Sequence, residues 1–299
     1  MKRLTYVGLF AAVVLTWPVL TRAELCPKCK GKMYTADVGK CRCCGGHTSS
    51  GAFKLCKKCS AKFRQCEHCL APLGKAAKGE DKGDKPFNGK TLDGWKPKIH
   101  PRRKNKSQWT VGTARPDPAK PKEFLVVKKG CELINARGKG VDLYSTYVHA
   151  DAVITIEVMV PKGSNSGIYV HGEYEIQVLD SYGRDKKPGR GDMGAIYGAA
   201  PPTKPVYKKP GEWSTYEIHF QAPRFDAEGR KTANARFLKV ILNGALIHKD
   251  VEMKGPTPGG VDRKEKPKGP IMFQGDHGPV AYRNIRVLPL PGKQPTRHR

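Results

Sequence analysis

The chain has 299 residues, and its 55 Lys and Arg residues outnumber its 27 Asp and Glu residues, which gives a formal net charge of +28. Such a charge would suit nucleic acid, because each phosphate contact releases bound counterions. The basic residues are nevertheless spread along the whole chain among Pro and Gly, and no basic helix is recognisable. We therefore expect a solvated basic surface that contacts anionic envelope or matrix polymers, and we do not expect a nucleic-acid partner.

The first 23 residues have the pattern of a secretory signal peptide. Two basic residues precede an apolar run from Leu4 to Leu20, and small residues stand at the positions that a signal peptidase reads. A membrane-spanning helix needs about 20 apolar residues, and Pro18 interrupts a run that is already shorter. The residue after the cut would be Glu24 and not Cys, so a lipoprotein anchor is not expected. We expect a periplasmic or secreted protein with no membrane span after cleavage at Ala23.

Composition divides the rest of the chain into four segments. Residues 24–72 hold nine of the ten cysteines and form a small module. Residues 73–85 are rich in Lys, Gly and Asp with nothing to bury, which predicts a linker. Residues 86–291 are predicted to form one large globular domain, and residues 292–299 are a basic tail.

The large domain is predicted to be almost entirely β, because apolar or alternating runs recur between Gly, Pro, Asn and Asp. The predicted strands are Glu123–Val127, Val153–Met159, Gly167–Val170, Tyr174–Leu179, Trp213–Gln221, Phe237–Leu242, Ile271–Gln274 and Tyr282–Leu288. The pair Asn243-Gly244 suits a tight type I′ hairpin between two apolar strands. Strands joined by long Pro- and Gly-rich loops favour a two-sheet antiparallel sandwich, with a jelly roll as the expected topology.

Four C-x-x-C pairs within 44 residues predict a zinc-ribbon-like module. The eight expected ligands are Cys26, Cys29, Cys41, Cys44, Cys56, Cys59, Cys66 and Cys69. Eight thiolates can hold two structural zinc ions in tetrahedral sites, and the spacing leaves open whether neighbouring or alternate pairs share an ion. Cys43, His47 or His68 could replace a ligand.

A disulfide framework is the alternative for the cysteine module, because exported cysteine-rich chains normally form disulfides. Against it, C-x-x-C pairs make strained, redox-type disulfides more often than structural ones. The module itself is expected to serve as a metal-stapled docking unit. Cys131, inside the large domain, is expected to be a buried apolar thiol.

Residues 164–180 carry the clearest candidate site. Strand alternation, repeated after a turn at Gly172, separates apolar core residues from a second, polar face. That face is predicted to carry Tyr169, His171, Glu175 and Gln177. A phenol, an imidazole, a carboxylate and an amide on one face can hydrogen-bond sugar hydroxyls and move protons, although an ordinary outer sheet face is the alternative.

Several short motifs then follow one another in a characteristic order. They are FNGKTLDGW from Phe87, NSGIYVHGEYEIQVLDSYG from Asn165, GAIYG from Gly194, KPGEW from Lys209, LNG from Leu242, GPIMFQGDHG from Gly269 and YRNI from Tyr282. In this order they resemble the family described as 3-keto-disaccharide hydrolase, or 3-keto-glucoside lyase and hydratase. The resemblance covers about residues 86–290.

The resemblance implies a concanavalin-like (laminarin-G-like) jelly roll that acts on 3-keto-glycosides, with carbohydrate as the substrate. A C3 ketone acidifies the C2 hydrogen, so a base can remove it, the C1 aglycone leaves and water adds back. In this scheme His171 or Glu175 is the candidate base, and His277 is the second proton-transfer group. The expected substrate-binding residues are Tyr169, Gln177, Asp180, Gln274 and Arg283.

Alternatives remain for single residues. Asp180 could cap a turn, and Arg283 could pair with a carboxylate in the sheet. A divalent metal bound by His171 and Glu175 could polarise the ketone. This chain also has Gly275 inserted before Asp276-His277, where the family usually has no such residue, and the insertion is expected to displace His277.

Two alternatives remain for the whole protein. The sandwich could be a non-catalytic carbohydrate-binding domain, with Trp95, Trp109 or Trp213 as sugar platforms, because fold does not dictate function. In a third hypothesis the zinc module is the functional part and the sandwich is an adaptor.

Overall fold

The computed structural model of the protein describes residues 25–26, 28–41, 45–63, 66–69, 83–99, 105–184 and 186–290. The predicted signal peptide, most of the linker, the basic tail, and the residues Cys43 and Cys44 lie outside the described residues. The chain divides into two compact units, the cysteine module and the sandwich. No helix in the described part of the chain combines the length and the apolar character that crossing a membrane requires.

The cysteine module has little regular structure among its described residues. A β-bridge joins Lys40 and His47, and one short helix, α1, spans Lys57–Phe63. The backbone carbonyl of Glu67 accepts hydrogen bonds from the amides of Lys54 (2.7 Å) and Leu55 (3.1 Å), which ties the C-terminal cysteine turn to the middle of the module.

The sandwich consists of two large antiparallel sheets and a two-stranded ribbon. In spatial order, the five-stranded sheet contains β1 (Trp95–Pro97), β4 (Leu143–His149), β13 (Gly269–Phe273), β6 (Asn165–Val170) and β7 (Tyr174–Leu179). The seven-stranded sheet contains β12 (Ala245–Glu252), β11 (Arg236–Leu242), β8 (Ser214–Gln221), β5 (Ala152–Met159), β14 (Val280–Pro289), β3 (Phe124–Asn135) and β2 (Trp109–Pro116). The ribbon pairs β9 (Arg224–Phe225) with β10 (Lys231–Ala233).

The core lies between the two large sheets and is filled by every second side chain of the facing strands. On β5, Ile154, Ile156 and Val158 are buried while the residues between them are partly exposed. On β6 and β7, Ile168 and Ile176 face the same core. Burial of each such side chain stabilises the fold by about 1.5–3 kcal/mol.

All eight predicted strands are present, and seven of them have ends within two residues of the predicted ones. The type I′ hairpin is confirmed, because Asn243 (φ 52°) and Gly244 (φ 83°) both lie in the left-handed region between β11 and β12. The predicted strand at 123–127 is too short, since β3 continues to Asn135 through Lys128-Lys129-Gly130. A register shift in its pairing with β2 accommodates this polar break.

The sandwich begins before residue 86, where the composition places its start. Asp84 and Val287 exchange two backbone hydrogen bonds (2.6 and 2.9 Å), and the Tyr147 hydroxyl donates to the Asp84 carboxylate (2.6 Å). Composition assigns Asp84 to the linker, but in the structure this residue pairs with β14.

Candidate functional site

A cavity of about 380 Å³ opens on the face of the five-stranded sheet that points away from the core. Five of the predicted site residues line it: Tyr169, Glu175, Gln177, Gln274 and His277. Sequence reasoning missed other polar lining residues: Lys98, Asn105, Asp142, Asn165, Tyr197 and Asp276. The volume lies in the range of small-molecule sites, about 300–1,000 Å³.

The hairpin of β6 and β7 brings Tyr169 and Glu175 together. The two residues are direct cross-strand partners, and the Tyr169 hydroxyl donates to Glu175 Oε2 (2.9 Å). Gly167, two residues earlier on β6, leaves room for this carboxyl group, because a Cβ atom there would lie 2.3 Å from Glu175 Oε1. Strand pairing thus places the Tyr169 phenol beside the Glu175 carboxylate, and the absence of a side chain at Gly167 provides the space that the carboxylate occupies.

Glu175 is a carboxyl group held near its titration point at neutral pH. Burial raises its pKa from 4.5 to about 7, and the charges of Asp142 and Asp276 act in the same direction. The hydrogen bond from Tyr169 and the charge of His277 partly oppose this rise. A carboxyl group with such a pKa can accept or release a proton under physiological conditions.

His277 provides a second titrating group at the cavity. Its Nδ1 lies 2.5 Å from Asp276 Oδ1, and this hydrogen bond raises the pKa of the imidazole although burial opposes the rise. The inserted Gly275 does not remove His277 from the cavity. Gly275 fits tightly instead, since a Cβ atom there would lie 2.3 Å from the Val141 carbonyl oxygen.

The strand order of the five-stranded sheet explains the residues that sequence reasoning missed. Lys98 follows β1 and Asp142 precedes β4, and these neighbouring strands bring the ammonium and carboxylate groups to 3.5 Å. Asp142 Oδ1 also accepts the amide of Gly275 (3.0 Å). Tyr197 lies in a loop pinned to β7, where its amide donates to the Glu175 carbonyl (3.0 Å). Contacts between residues so distant in sequence leave no local pattern.

The structure does not bring His171 to the cavity, so its predicted place on the polar face is wrong. Strand β6 ends at Val170, and His171 lies in the following turn with φ 59°. The residue is 1% exposed, and the centroid of its ring lies 5.7 Å from the ring centroids of both His149 and Phe220. Burial lowers the pKa of His171 to about 3. The alternative of a divalent metal bound by His171 and Glu175 does not fit this arrangement, because His171 does not line the cavity that holds Glu175.

Asp180 and Arg283 also lie outside the residues that line the cavity. Asp180 caps turns, accepting the amides of Gly163 (2.7 Å) and Tyr182 (3.3 Å). Arg283 Nε donates to Glu157 Oε2 (2.8 Å), and its guanidinium group stacks 3.8 Å over the Trp213 ring. The observed contacts of these two residues are thus those of the alternatives given for them, a turn cap for Asp180 and a carboxylate pair for Arg283.

The three tryptophans considered as sugar platforms do not line the cavity. Trp95 and Trp109 are each 6% exposed and belong to the core, and Arg283 covers Trp213.

The cysteine module holds two candidate metal centres. Their ligand atoms lie within 4.8 Å of one another in two groups, Cys26, Cys29, Cys66 and Cys69, and Cys41, Cys56 and Cys59. The first C-x-x-C pair therefore joins the last, and the second joins the third, with Cys44 outside the described residues. No disulfide links the eight described cysteines. The Sγ atoms of Cys26 and Cys69 are 3.4 Å apart, which is close to the ~3.8 Å sulfur spacing of a tetrahedral site with Zn–S bonds of about 2.3 Å.

The candidate site lies within a recognisable domain. The sequence profile of the 3-keto-alpha-glucoside-1,2-lyase-like domain matches residues 84–288. The chain belongs to this family. The family predicted from the ordered motifs is therefore confirmed, and so is the all-β sandwich with an N-terminal cysteine module.

Solved structures resemble the chain to different degrees. A candidate glycosyl hydrolase from Parabacteroides distasonis is 27% identical with a TM-score of 0.51, over 77% of this chain and 96% of its own. Another from the same organism is 23% identical with a TM-score of 0.39, over 66% and 99%. A carbohydrate-binding module from Bacillus subtilis is 11% identical with a TM-score of 0.32, over 62% and 97%. No curated protein matches the chain.

Proposed function

We propose that the sandwich cleaves 3-keto-glycosides, including 3-keto-disaccharides, by elimination followed by hydration. The observation that carries this proposal is that one cavity holds a carboxyl group with a pKa of about 7, Glu175, and an imidazole whose pKa is raised, His277. Two such groups suit a reaction that needs a base and an acid at neutral pH. Family membership supports the substrate class.

In the proposed reaction, ionised Glu175 removes the C2 proton of the keto sugar, and the electron pair of the broken C2–H bond forms the enolate of the C3 ketone. The enolate expels the C1 oxygen, which takes a proton from the imidazolium of His277. Water then adds across the resulting double bond. Neutral His277 takes a proton from the water while the hydroxide adds at C1, and Glu175 returns its proton to C2, so both groups regain their starting protonation states. The sum is hydrolysis, without the two spaced carboxylates of an ordinary glycosidase.

Polar side chains around these two groups are suited to hold the substrate. Lys98 places an ammonium donor at the cavity, and Asn165 and Gln177 provide amides that are linked by a 3.1 Å hydrogen bond. A cationic ammonium group and neutral donors can stabilise the negative oxygen of an enolate. Tyr197, 40% exposed, adds an aromatic face to the lining.

Turnover of a 3-keto-disaccharide tests the proposal. We expect the protein to release the monosaccharide together with transient ultraviolet absorbance of the unsaturated intermediate. Glu175→Gln and His277→Asn should each lower kcat by ~10²-fold or more. Glu217→Gln and His219→Asn are matched controls on β8, outside the cavity, and should retain activity. Binding of the keto sugar without any turnover would instead make the sandwich a non-catalytic carbohydrate-binding domain.

We further propose that the cysteine module holds two structural zinc ions. One ion would be bound by the first and last C-x-x-C pairs, and the other by the second and third pairs, including Cys44. The buried, closely spaced sulfur atoms fit this role. Zinc bound in this way would contribute folding free energy and no catalysis. Export and contact with anionic polymers remain proposals that rest on the N-terminal sequence and the net charge.

A further inference from the structure

A segment formed by residues 257–262 packs against the β6–β7 turn and the beginning of β7, the edge strand that carries Glu175. Thr257 makes the hydrogen bonds there that a neighbouring strand would otherwise make. Its amide donates to the Glu173 carbonyl (2.8 Å), and its hydroxyl donates to the same oxygen (3.0 Å). The hydroxyl oxygen also accepts the amide of Glu175 (3.0 Å). Thr257 is only 4% exposed, so its hydroxyl group is buried with both its donor and its acceptor roles used.

The residue after Thr257 reaches the reacting groups. The Pro258 carbonyl oxygen lies 2.9 Å from the Tyr169 hydroxyl, the same distance that separates this hydroxyl from Glu175 Oε2. Gly259 allows the close approach, because a Cβ atom there would lie 2.6 Å from the Tyr169 oxygen. Lys98 Nζ donates to the Gly259 carbonyl (2.6 Å) and fixes the segment from the other side.

Tyr169 thus has one hydrogen and two acceptors. When Glu175 is ionised, the Tyr169 hydroxyl donates to the carboxylate. When Glu175 is protonated, its own hydroxyl donates to the Tyr169 oxygen, and Tyr169 donates to the Pro258 carbonyl. Each protonation state of Glu175 is therefore fully hydrogen-bonded with little movement.

We propose that Thr257 is a positioning residue for the reaction: it fixes the Pro258 carbonyl as the second acceptor of Tyr169, so that Glu175 can take up and release a proton in place. This proposal rests on the proposed function. The charged and titratable groups that interact with Glu175 are Tyr169, His277, Asp142, Asp276 and Tyr282, with Lys98 at the cavity wall. Neither Asp142 nor Asp276 replaces the Pro258 oxygen as an acceptor for the Tyr169 hydrogen, because both carboxylates act on Tyr169 through charge alone.

The pKa of Glu175, measured by carbon-13 NMR of its labelled carboxyl group, tests the proposal with the full chain. Thr257→Val should lower this pKa by about one unit, because the protonated state loses its second acceptor. Tyr169→Phe should raise it by a similar amount, because the ionised state loses its donor. Thr257→Ser retains the hydroxyl and should leave the pKa unchanged. Shifts of Thr257→Val and Tyr169→Phe in the same direction, or no shift in Thr257→Val, would overturn the proposal.

The unchanged protein provides a second measurement if Thr257→Val does not fold. The Cζ signal of Tyr169 should move with pH at the midpoint of Glu175, because the tyrosine changes acceptor while remaining protonated. A Tyr169 signal that stays constant through the Glu175 titration contradicts the proposal.

Kinetics separate positioning from substrate binding. In Thr257→Val we expect KM to change less than about threefold, while the acidic limb of the pH profile of kcat/KM moves to lower pH. A raised KM with an unmoved limb would show that Thr257 only shapes the cavity. If the wild-type protein turns over no keto sugar, the proposed reaction fails, while the Glu175 titrations in Thr257→Val and Thr257→Ser still decide the role of Thr257.

Discussion

Single residues at the cavity show how far strand alternation predicts a site. Tyr169, Glu175 and Gln177 line one cavity because β6 and β7 pair in regular register. His171 departs from the pattern because the strand stops one residue before it. A His followed by Gly172 signals a turn as well as a strand, and both residues adopt positive φ. At this position the turn signal outweighs the strand signal.

The pH dependence of the proposed reaction follows from the same residues. Glu175 must be ionised to act as a base, so kcat/KM should rise through about pH 7. His277 must be protonated to act as an acid, so kcat/KM should fall above the raised pKa of this group. A bell-shaped profile measured with a keto-disaccharide is expected. In His277→Asn the residual activity should lose its alkaline limb, and a limb that persists would assign the acid to another group.

Gly167 is predicted to be essential for placing Glu175. In Gly167→Ala, the new Cβ atom would lie 2.3 Å from Glu175 Oε1 and 3.0 Å from its Cδ, so the carboxyl group must move. A displacement of about 1 Å can cost about 10²-fold in rate, and we expect a loss of that order in kcat. Gly191→Ala is the matched control, because a Cβ atom added there would have no neighbouring atom within 4 Å. Equal activity of the two variants would contradict this role.

At the scale of elements, the sequence did not indicate some strands whose apolar runs are interrupted by polar residues, and β4 is one of them. Strand β4 reads Leu143-Tyr-Ser-Thr-Tyr-Val-His149, and its polar residues interrupt the apolar run that would indicate a strand. Its place between β1 and β13 nevertheless determines which loops meet at the cavity. Because strand order is a long-range property, Lys98 and Asp142 could not be assigned to the site from local sequence alone.

Two buried histidines, His149 at the end of β4 and His171 in the β6–β7 turn, should make the free energy of unfolding depend on pH. Burial lowers the pKa of His149 to about 4 and that of His171 to about 3. Below pH 6.5, the ordinary pKa of histidine, these side chains are protonated in the unfolded chain but stay neutral in the folded chain. Their contribution to the free energy of unfolding is therefore fully present above pH 6.5 and is lost as the pH falls. At pH 5 each histidine should cost about 2 kcal/mol of unfolding free energy.

The variant His171→Asn tests this contribution, since Asn tolerates the left-handed turn and does not titrate. Denaturant unfolding at pH 7.5 and pH 5 should show about 2 kcal/mol less pH dependence in the variant than in the wild type. The variant must be compared with the wild type, because buried Glu173 and Glu175 have raised pKa values of about 7 and stabilise the folded state as the pH falls, opposite to the histidines. Equal pH dependence in both proteins would show that His171 is not responsible.

At the scale of the whole molecule, the two units should respond separately to metal removal. The cysteine count and spacing predict two metal centres, but the pairing of the C-x-x-C motifs depends on how the module folds back on itself. A strong chelator should release two zinc ions per chain and melt the module, while the sandwich keeps its thermal transition.

Cysteine variants locate the zinc. Cys26→Ser should retain about one zinc ion per chain by elemental analysis, because it disrupts the group shared with Cys66 and Cys69. Cys131→Ser, in β3 of the sandwich, should retain two. Metal-free protein with all cysteines resistant to alkylation would indicate disulfides and refute the zinc assignment.

The paired backbone of Asp84 and Val287 has a consequence for the architecture of the sandwich. The chain enters this unit beside the strand through which it leaves, so both ends lie at one place on its surface. A short bridge from residue 290 back to residue 83 should therefore close the unit into a circle. New ends opened at the exposed turn around Gly229 would give a circular permutant that keeps the cavity, with no cysteine module attached.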